Sequence, residues 1–214
     1  NRCFKITRRS NKIYSSKHFK LNALVLDLTS DMHFITLQYD GQSYEFLFKE
    51  EQIVKRNNWD KKIETLRETV PDFEFSKLDR MAYAAGPGSY TGARLAYTFL
   101  QTLELILEKE FYAFSNLSAL NFNCPKKIPV IKGNKNDFFY RHEGKDFYCE
   151  NVKNIPKGQY IGLKKDQLAL GSLEEVESTA IPLNILNMLL KEDNHQLSSN
   201  YPNYIKERSD HKSQ

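Results

Sequence analysis

The sequence predicts an α/β protein built from two lobes, and three observations support this prediction. First, three strand-like segments follow one another near the N-terminus, and a hairpin turn at Asp40-Gly41 joins two of them. Second, a glycine-rich loop joins a buried strand to a long helix, as is common in α/β layers. Third, a further set of strands and helices begins near Glu110. The chain has 214 residues, of which 40% are hydrophobic and 27% charged, a composition typical of globular proteins.

The first lobe is predicted to contain four strands and two helices. Its strands are predicted at 23–29, 32–39, 43–49 and 80–85. The first helix is predicted over 58–70 because apolar residues recur there with helical spacing, and Pro71 ends it. Those apolar residues are Trp59, Ile63, Leu66 and Val70. The second helix is predicted over 93–109, directly after the glycine-rich loop.

The second lobe is predicted to be smaller and richer in loops. Its strands are predicted at 111–114, 128–132, 138–142, 145–149 and 160–163. Ser115 is a suitable N-cap for a short helix near 117–122, and Pro182 suits the first turn of a later helix. We therefore divide the chain into a basic arm at 1–22, an N-terminal lobe at 23–109 and a C-terminal lobe at 110–214.

The positive charge of the chain is concentrated in its first residues. The whole chain has 31 basic and 27 acidic residues, but the first 22 residues contain seven Lys or Arg and no Asp or Glu. Such an arm can be a solvated tail, a contact for RNA phosphates or a targeting segment. The residues favour a solvated or partly ordered tail and leave the other two interpretations open.

Several protein classes are not favoured by the sequence. No apolar run approaches the ~20 residues of a membrane span, so no membrane contact is expected. The three cysteines form no CxxC pair, which is typical of a reducing cytoplasm. The five histidines show neither HxxxH nor HExxH spacing, so no metal site is predicted.

Three glycines lie in the segment that joins the fourth strand to the long helix. This glycine-rich loop consists of Gly86, Pro87, Gly88, Ser89, Tyr90, Thr91 and Gly92. Such a loop can turn sharply and can direct backbone N–H groups toward an anion near the helix start. It lacks the lysine of a P-loop, and its third glycine is one residue late for a dinucleotide-binding fingerprint. The residues therefore leave two interpretations open, a purely structural turn and an anion site.

The same loop carries a resemblance to a known family. Residues 85–94 closely resemble the GPGSFTGLR signature of the TsaB/YeaZ family. The segments 24–30, 114–120 and 202–206 are similar to other segments of that family and follow in the same order. The resemblance implies the actin-like/RNase H-like two-lobed α/β fold, with a mixed sheet and flanking helices in each lobe.

Members of this family are non-catalytic partners in the complex that makes threonylcarbamoyladenosine next to the tRNA anticodon. The resemblance implies a non-enzymatic cytoplasmic subunit that binds a TsaD-like catalytic protein and contacts tRNA through the complex. It also implies a TsaE-like ATPase as a further partner, a homodimer when the protein is alone, no cofactor and no catalytic residue. Asp27 corresponds to the acid of the superfamily's nucleotide site, which is degenerate here because Ser30-Asp31-Met32 follows where glycine is usual.

The long helix offers a surface for such a partner. Its apolar stripe is expected to pack on the sheet of its own lobe and consists of Ala96, Phe99, Leu100, Leu103, Ile106 and Leu107. The opposite face is small and uncharged, where a solvated helix would have Lys and Glu. We expect this face to be the partner interface, formed by Leu95, Thr98, Thr102 and Leu105. Burial under the C-terminal segment of the chain itself is the other interpretation.

An active actin-like ATPase or small-molecule kinase is the alternative function. Such an enzyme would need a catalytic acid and phosphate-binding loops in both lobes. Asp27 is a candidate for the acid, but the glycines of the second lobe, Gly158, Gly162 and Gly171, are not clustered. Hydrolysis of ATP by the protein alone would distinguish this enzyme from the non-catalytic subunit.

Overall fold

The computed structural model describes residues 21–49, 58–133, 137–191 and 196–205, together with the backbone of 4–9. The strands of this part of the chain are β1 (Phe4–Arg9), β2 (Ala23–Asp27), β3 (Met32–Tyr39), β4 (Gln42–Lys49), β5 (Arg80–Ala84), β6 (Phe111–Phe114), β7 (Ile128–Lys132), β8 (Phe138–His142), β9 (Lys145–Cys149), β10 (Tyr160–Leu163) and β11 (Leu173–Val176). The helices are α1 (Trp59–Thr69), α2 (Tyr90–Leu107), α3 (Asn116–Leu120) and α4 (Ala180–Lys191).

The strands form two mixed sheets, so the predicted α/β architecture is confirmed. The first sheet has the order β1-β4-β3-β2-β5-β6. The pairs β1–β4, β4–β3 and β3–β2 are antiparallel, and the pairs β2–β5 and β5–β6 are parallel. The second sheet has the order β11-β10-β7-β8-β9, with β7, β10 and β11 parallel and a β8–β9 hairpin. Both sheets therefore combine hairpins with parallel crossover connections.

Alternating residues of β2 show how the layers are stacked. Leu24 and Leu26 belong to the apolar cluster shared with α1 and α2. Ala23 and Val25 belong to a second cluster, which contains residues of α3 and α4 and also Ile161 of the second sheet. Because successive side chains of a strand point to opposite faces, α1 and α2 cover one face of the first sheet. Helices α3 and α4 lie on its other face and join it to the second sheet.

The structure differs from the predicted boundaries at both ends of the first lobe. The backbone of Phe4–Arg9 forms an edge strand paired antiparallel with β4, whereas the arm was expected to be a solvated or partly ordered tail. The pairing satisfies the N–H and C=O groups that β4 would otherwise expose at the sheet edge. Strand β6 pairs with β5 in the first sheet, although it follows the predicted lobe boundary at 109. Residues 10–20 of the arm lie outside the described residues.

Two further elements differ from the sequence-based assignment. Helix α2 begins at Tyr90, three residues earlier than predicted, because Ser89 caps it from within the glycine-rich loop. Strand β11 was not predicted, since Leu173–Val176 contains two glutamates and lies at a sheet edge with much of its surface exposed. Ser115 is confirmed as the N-cap of α3. No helix in the described part of the chain is both long and apolar enough to cross a bilayer.

Candidate functional site

The glycine-rich loop is packed directly against the end of β2. The backbone N–H of Ser89 donates a hydrogen bond to the carbonyl oxygen of Thr29 at 2.6 Å. The hydroxyl of the same serine accepts a hydrogen bond from the N–H of Gly92 at 3.3 Å and so caps α2. Ser89 therefore acts in this structure as the residue that starts the helix.

The glycines of the loop are required by close approach and by backbone conformation. A Cβ atom on Gly92 would lie 1.6 Å from the carbonyl oxygen of Leu28, and one on Gly88 would lie 2.8 Å from atoms of Thr29. Gly86 has a φ of +108°, a conformation that residues with side chains rarely adopt. The prediction of a tight turn that depends on its glycines is confirmed at these positions.

Asn116, which the sequence analysis did not single out, holds the loop from the other side. Its side-chain Nδ2 donates to Thr29 Oγ1 at 2.8 Å and to the carbonyl oxygen of Pro87 at 3.0 Å. Its Oδ1 accepts from the N–H of Gly86 at 3.1 Å, and its own N–H donates to the carbonyl oxygen of Gly86 at 2.8 Å. The side chain is 1% exposed. An asparagine directly after the N-cap of a short helix is too common a pattern to have indicated this role.

These contacts favour the structural interpretation of the loop over the anion-binding one. The N–H groups of Gly86, Ser89 and Gly92 donate to acceptors within the protein. Pro87 has no N–H to donate. Four of the seven loop residues thus offer no backbone donor to an anion, which is unlike a phosphate-cradling loop.

Asp27 lies buried at the base of a cleft between the lobes. Its Oδ1 accepts hydrogen bonds from the N–H of Thr29 at 2.9 Å and from Thr29 Oγ1 at 2.6 Å. Burial raises the pKa of this carboxyl above its ordinary value, and the two bonds from Thr29 and the charge of Lys165 partly oppose the increase. The protonated form of Asp27 is therefore favoured more than that of a solvated aspartate.

The cleft above Asp27, here called the interlobe cleft, carries charges of both signs. It encloses about 610 Å³ and is lined by the glycine-rich loop, the end of β2 and the ends of β7 and β10. Its acidic residues are Asp27, Asp31 and Asp137, and its basic residues are Lys132 and Lys165. Among the described residues, no group of three or more His, Cys, Asp or Glu side chains is arranged to bind a metal ion.

The expected partner face of α2 is largely exposed. Thr98 and Thr102 are exposed, and Leu105 is 78% exposed. The Thr102 hydroxyl donates to the carbonyl oxygen of Thr98 at 2.9 Å, so its donor is satisfied within the helix. Leu95 is half-buried and packs against the core, so it contributes less to this face than expected.

One residue assigned to the core stripe of α2 is not in the core. Ile106 is 69% exposed and lies beside Leu105 in the sequence. With 3.6 residues per turn, Ile106 lies about 100° from the mean direction of the buried residues Ala93, Ala96, Leu100 and Leu103, so it falls outside the part of the helix that the sheet covers. The exposed aliphatic surface is therefore larger than predicted.

Helix α1 is fixed beside α2 by aromatic contacts. The rings of Trp59 and Phe99 stack with centroids 3.8 Å apart. Lys62 of α1 is 3% exposed, with its Nζ 5.5 Å from the Phe48 ring centroid and 5.8 Å from that of Trp59. Such contacts stabilise a lysine whose aliphatic stem is buried. The two helices therefore form one layer on the outside of the first sheet.

Comparisons with known proteins agree with this geometry. The family model described as TsaD: tRNA N6-adenosine threonylcarbamoyltransferase matches residues 62–166. A crystal structure of an uncharacterized protein with similarity to peptidase YEAZ from Pseudomonas aeruginosa has a TM-score of 0.66 at 15% identity, covering 87% of this chain and 100% of that one. YeaZ from Pseudomonas aeruginosa has a TM-score of 0.60 at 15% identity, covering 86% of this chain and 99% of that one. The resemblance to the TsaB/YeaZ family is confirmed.

The comparisons also define how far the likeness extends. At 15% identity, the structural matches establish the fold, which is the actin-like two-lobed α/β fold implied by the sequence. A comparison with curated protein sequences finds no match. The family model and the fold together support a role among the proteins of threonylcarbamoyladenosine synthesis.

The four segments that carry the resemblance to the TsaB/YeaZ family meet at one place in the structure. The glycine-rich loop contacts the end of β2 and Asn116, as described above. In the C-terminal segment, the N–H of Asn203 donates to the carbonyl oxygen of Ala85 at 2.9 Å. Its Nδ2 donates to Asp146 Oδ2 at 3.0 Å, and that oxygen also accepts from Ser115 Oγ at 2.5 Å. The TsaB/YeaZ-like segments thus form the joint between the two sheets.

Proposed function

We propose that the protein is a non-catalytic subunit that binds and activates a TsaD-like catalytic protein in the cytoplasm. In this proposal, the partner makes threonylcarbamoyladenosine next to the tRNA anticodon, and this chain contacts tRNA through the complex. A TsaE-like ATPase is a further partner, and a homodimer forms when the catalytic protein is absent. The exposed aliphatic face of α2 is the observation that carries the proposal.

The chemistry of this face suits close docking of another helix layer. Leu105 on this face and Ile106 beside it are large aliphatic side chains, and both are more than two-thirds exposed. Glu104 is the one charged residue between Thr98 and Ile106, and it is half-buried rather than exposed on this face. Burying aliphatic surface is favourable by about 25 cal/mol per Å². A surface with this composition is typical of the centre of a protein interface.

The geometry of the glycine-rich loop supports a non-catalytic role. Its N–H groups serve mainly to hold the loop to β2 and Asn116, as the hydrogen bonds of Gly86, Ser89 and Gly92 indicate. Asp27 is 2% exposed, and its Oδ1 is occupied by Thr29. Turnover of ATP by the isolated protein, lost on replacing Asp27, would contradict this proposal and favour the kinase-like alternative.

The proposal is tested by co-expression with the TsaD-like protein of the same source, followed by size-exclusion chromatography. Leu105→Asp and Thr102→Arg should each weaken the complex about a hundredfold, because each places an unpaired charge in the buried centre of the interface. Asn187→Arg is the matched control, since Asn187 is an exposed neutral residue on α4. Normal binding by both α2 variants, each verified as folded by circular dichroism, would show that this face is not the interface.

A further inference from the structure

A second cleft lies at the opposite end of the second sheet from the interlobe cleft. The interlobe cleft is at the ends of the parallel strands β7 and β10, where Lys132 and Leu163 line it. The second cleft is at their beginnings, where Ile128 and Gly158 line it. It encloses about 750 Å³, which is within the usual range of ligand-binding clefts.

Basic side chains dominate the lining of this second cleft, here called the basic cleft. Its basic members are Lys126, Lys127, Arg141, Lys157 and, when protonated, His142. Glu143 is its one acidic member among the lining residues. In the interlobe cleft, by contrast, three carboxylates face two lysines. An anion is therefore favoured electrostatically more in the basic cleft than in the interlobe cleft.

The ion pairs of the region leave two of these cations without an acidic partner. Lys127 pairs with Glu174, and Arg141 pairs with Asp146 at 2.5 Å. Lys126 and Lys157 are exposed and make no ion pair or hydrogen bond within the described part of the chain. Two lysines on one cleft thus retain charge that a ligand can neutralise.

The backbone holds these two lysines on neighbouring walls of the cleft. The N–H of Ile128 donates to the carbonyl oxygen of Gln159 at 2.8 Å. A Cβ atom on Gly158 would lie 3.1 Å from Ile128 Cδ1, so the loop that carries Lys157 rests directly on this residue. The segment before Ile128 carries Lys126. The two cations therefore flank a common floor while belonging to separate segments.

The floor of the basic cleft is apolar and partly aromatic. Ile128 and Met188 are buried beneath it, and the half-buried ring of Phe122 forms part of its lining. Lys191 places its Nζ 5.1 Å from the centroid of the same ring. An apolar floor with an aromatic ring and a basic rim is typical of surfaces that bind nucleotides, because bases stack below phosphates that the cations neutralise.

We propose that the basic cleft binds the phosphate backbone of RNA. The two cations without an acidic partner belong to separate segments, around Lys126 and Lys157, rather than converging on one point. This arrangement suits successive phosphates of a strand better than a single phosphate group. The choice of RNA over other polyanions rests on the proposed function, in which the complex acts on tRNA.

Fluorescence anisotropy with a labelled tRNA transcript tests the proposal on the full chain without its partner. Lys126→Glu/Lys157→Glu should weaken tRNA binding about tenfold or more and reduce the slope of log affinity against log salt by about two. Lys132→Glu/Lys165→Glu is the matched control, because it makes the same change in charge within the interlobe cleft. This control should retain the affinity and salt slope of the unmodified protein.

The possible outcomes separate the proposal from its rivals. Equal tRNA affinity for the unmodified protein and the basic-cleft variant, or an equal loss in both double variants, would overturn it. Displacement of tRNA by AMP or inorganic phosphate at millimolar concentration would assign the cleft to a free phosphate compound and also overturn it. A pull-down with the TsaD-like protein keeps the two proposals distinguishable. If the unmodified protein binds tRNA but does not bind the TsaD-like protein, only the proposed function is refuted.

Discussion

The two ends of α2 differ sharply in how they contact the rest of the protein. At the N-terminal end, Gly92 touches Leu28 so closely that no Cβ atom fits, and Ser89 is bonded to Thr29. Toward the C-terminal end, Leu105 and Ile106 are 78% and 69% exposed. The same helix is therefore anchored at its start and presents aliphatic surface near its end.

Under the proposed function, this difference separates stability from partner binding along one helix. Changes at the anchored end must move the helix or the strand, so they should destabilise the isolated protein. Changes at the exposed end remove few contacts within the chain, so they should act mainly on association. In the proposed function, the glycine-rich motif positions the partner-binding face of α2.

Gly92→Ala tests the anchored end and should have the largest effect on stability. Its Cβ would lie 1.6 Å from the Leu28 carbonyl oxygen, so β2 and α2 must separate. We expect the free energy of unfolding to fall by about 3 kcal/mol or more, measured by urea denaturation. Gly171→Ala is the control, because nothing lies within 4 Å of a Cβ atom there.

The same measurement on Leu105→Asp provides the contrast. Its free energy of unfolding should change by less than about 0.5 kcal/mol, as is usual for exposed positions. A loss as large as that of Gly92→Ala would show that the two ends do not differ and that this face is part of the core.

Asn116→Ala should cause the second-largest loss of stability, after Gly92→Ala. The substitution removes Oδ1, which accepts from the Gly86 N–H, and Nδ2, which donates to Thr29 Oγ1 and to the carbonyl oxygen of Pro87. A buried donor left unsatisfied costs about 1–3 kcal/mol, so we expect a loss of about 2 kcal/mol in the same urea assay. Asn187→Ala, at an exposed position, should be close to neutral. If Asn116→Ala is equally neutral, the loop is held by backbone contacts alone.

Of these substitutions, Asp27→Asn should change the free energy of unfolding least at low pH. Its effect should grow as the pH rises. Burial raises the pKa of Asp27, so the folded protein holds this proton more tightly than the unfolded chain. Folding stability is then lost as the pH rises from the ordinary carboxyl pKa through the raised one. Asparagine does not ionise, and its amide oxygen can accept both hydrogen bonds from Thr29.

Urea denaturation at a series of pH values measures this effect. The variant should gain stability relative to the unmodified protein as the pH rises through that range. A difference that does not vary with pH, or one that falls as the pH rises, would show that the folded state does not favour protonation of Asp27.

The sequence was most informative where local patterns determine the structure. The turn at Asp40-Gly41, the cap at Ser115 and the glycine-rich loop follow from the conformations and hydrogen bonds that these residues allow. The error at Ile106 arose from the width of the helical stripe, because periodicity gives the direction of a side chain and not what lies opposite it.

By itself, the sequence determined the α/β class, the position of most strands and helices, and the resemblance to the TsaB/YeaZ family, since these depend on short-range patterns. The tertiary structure decided which sheet receives β6, how Asn116 holds the loop and that Lys126 and Lys157 line one cleft. These features join residues far apart in the chain, and no local propensity encodes such contacts. Their physical origin is the pairing of strand edges and the satisfaction of buried polar groups, which act only once the chain is folded.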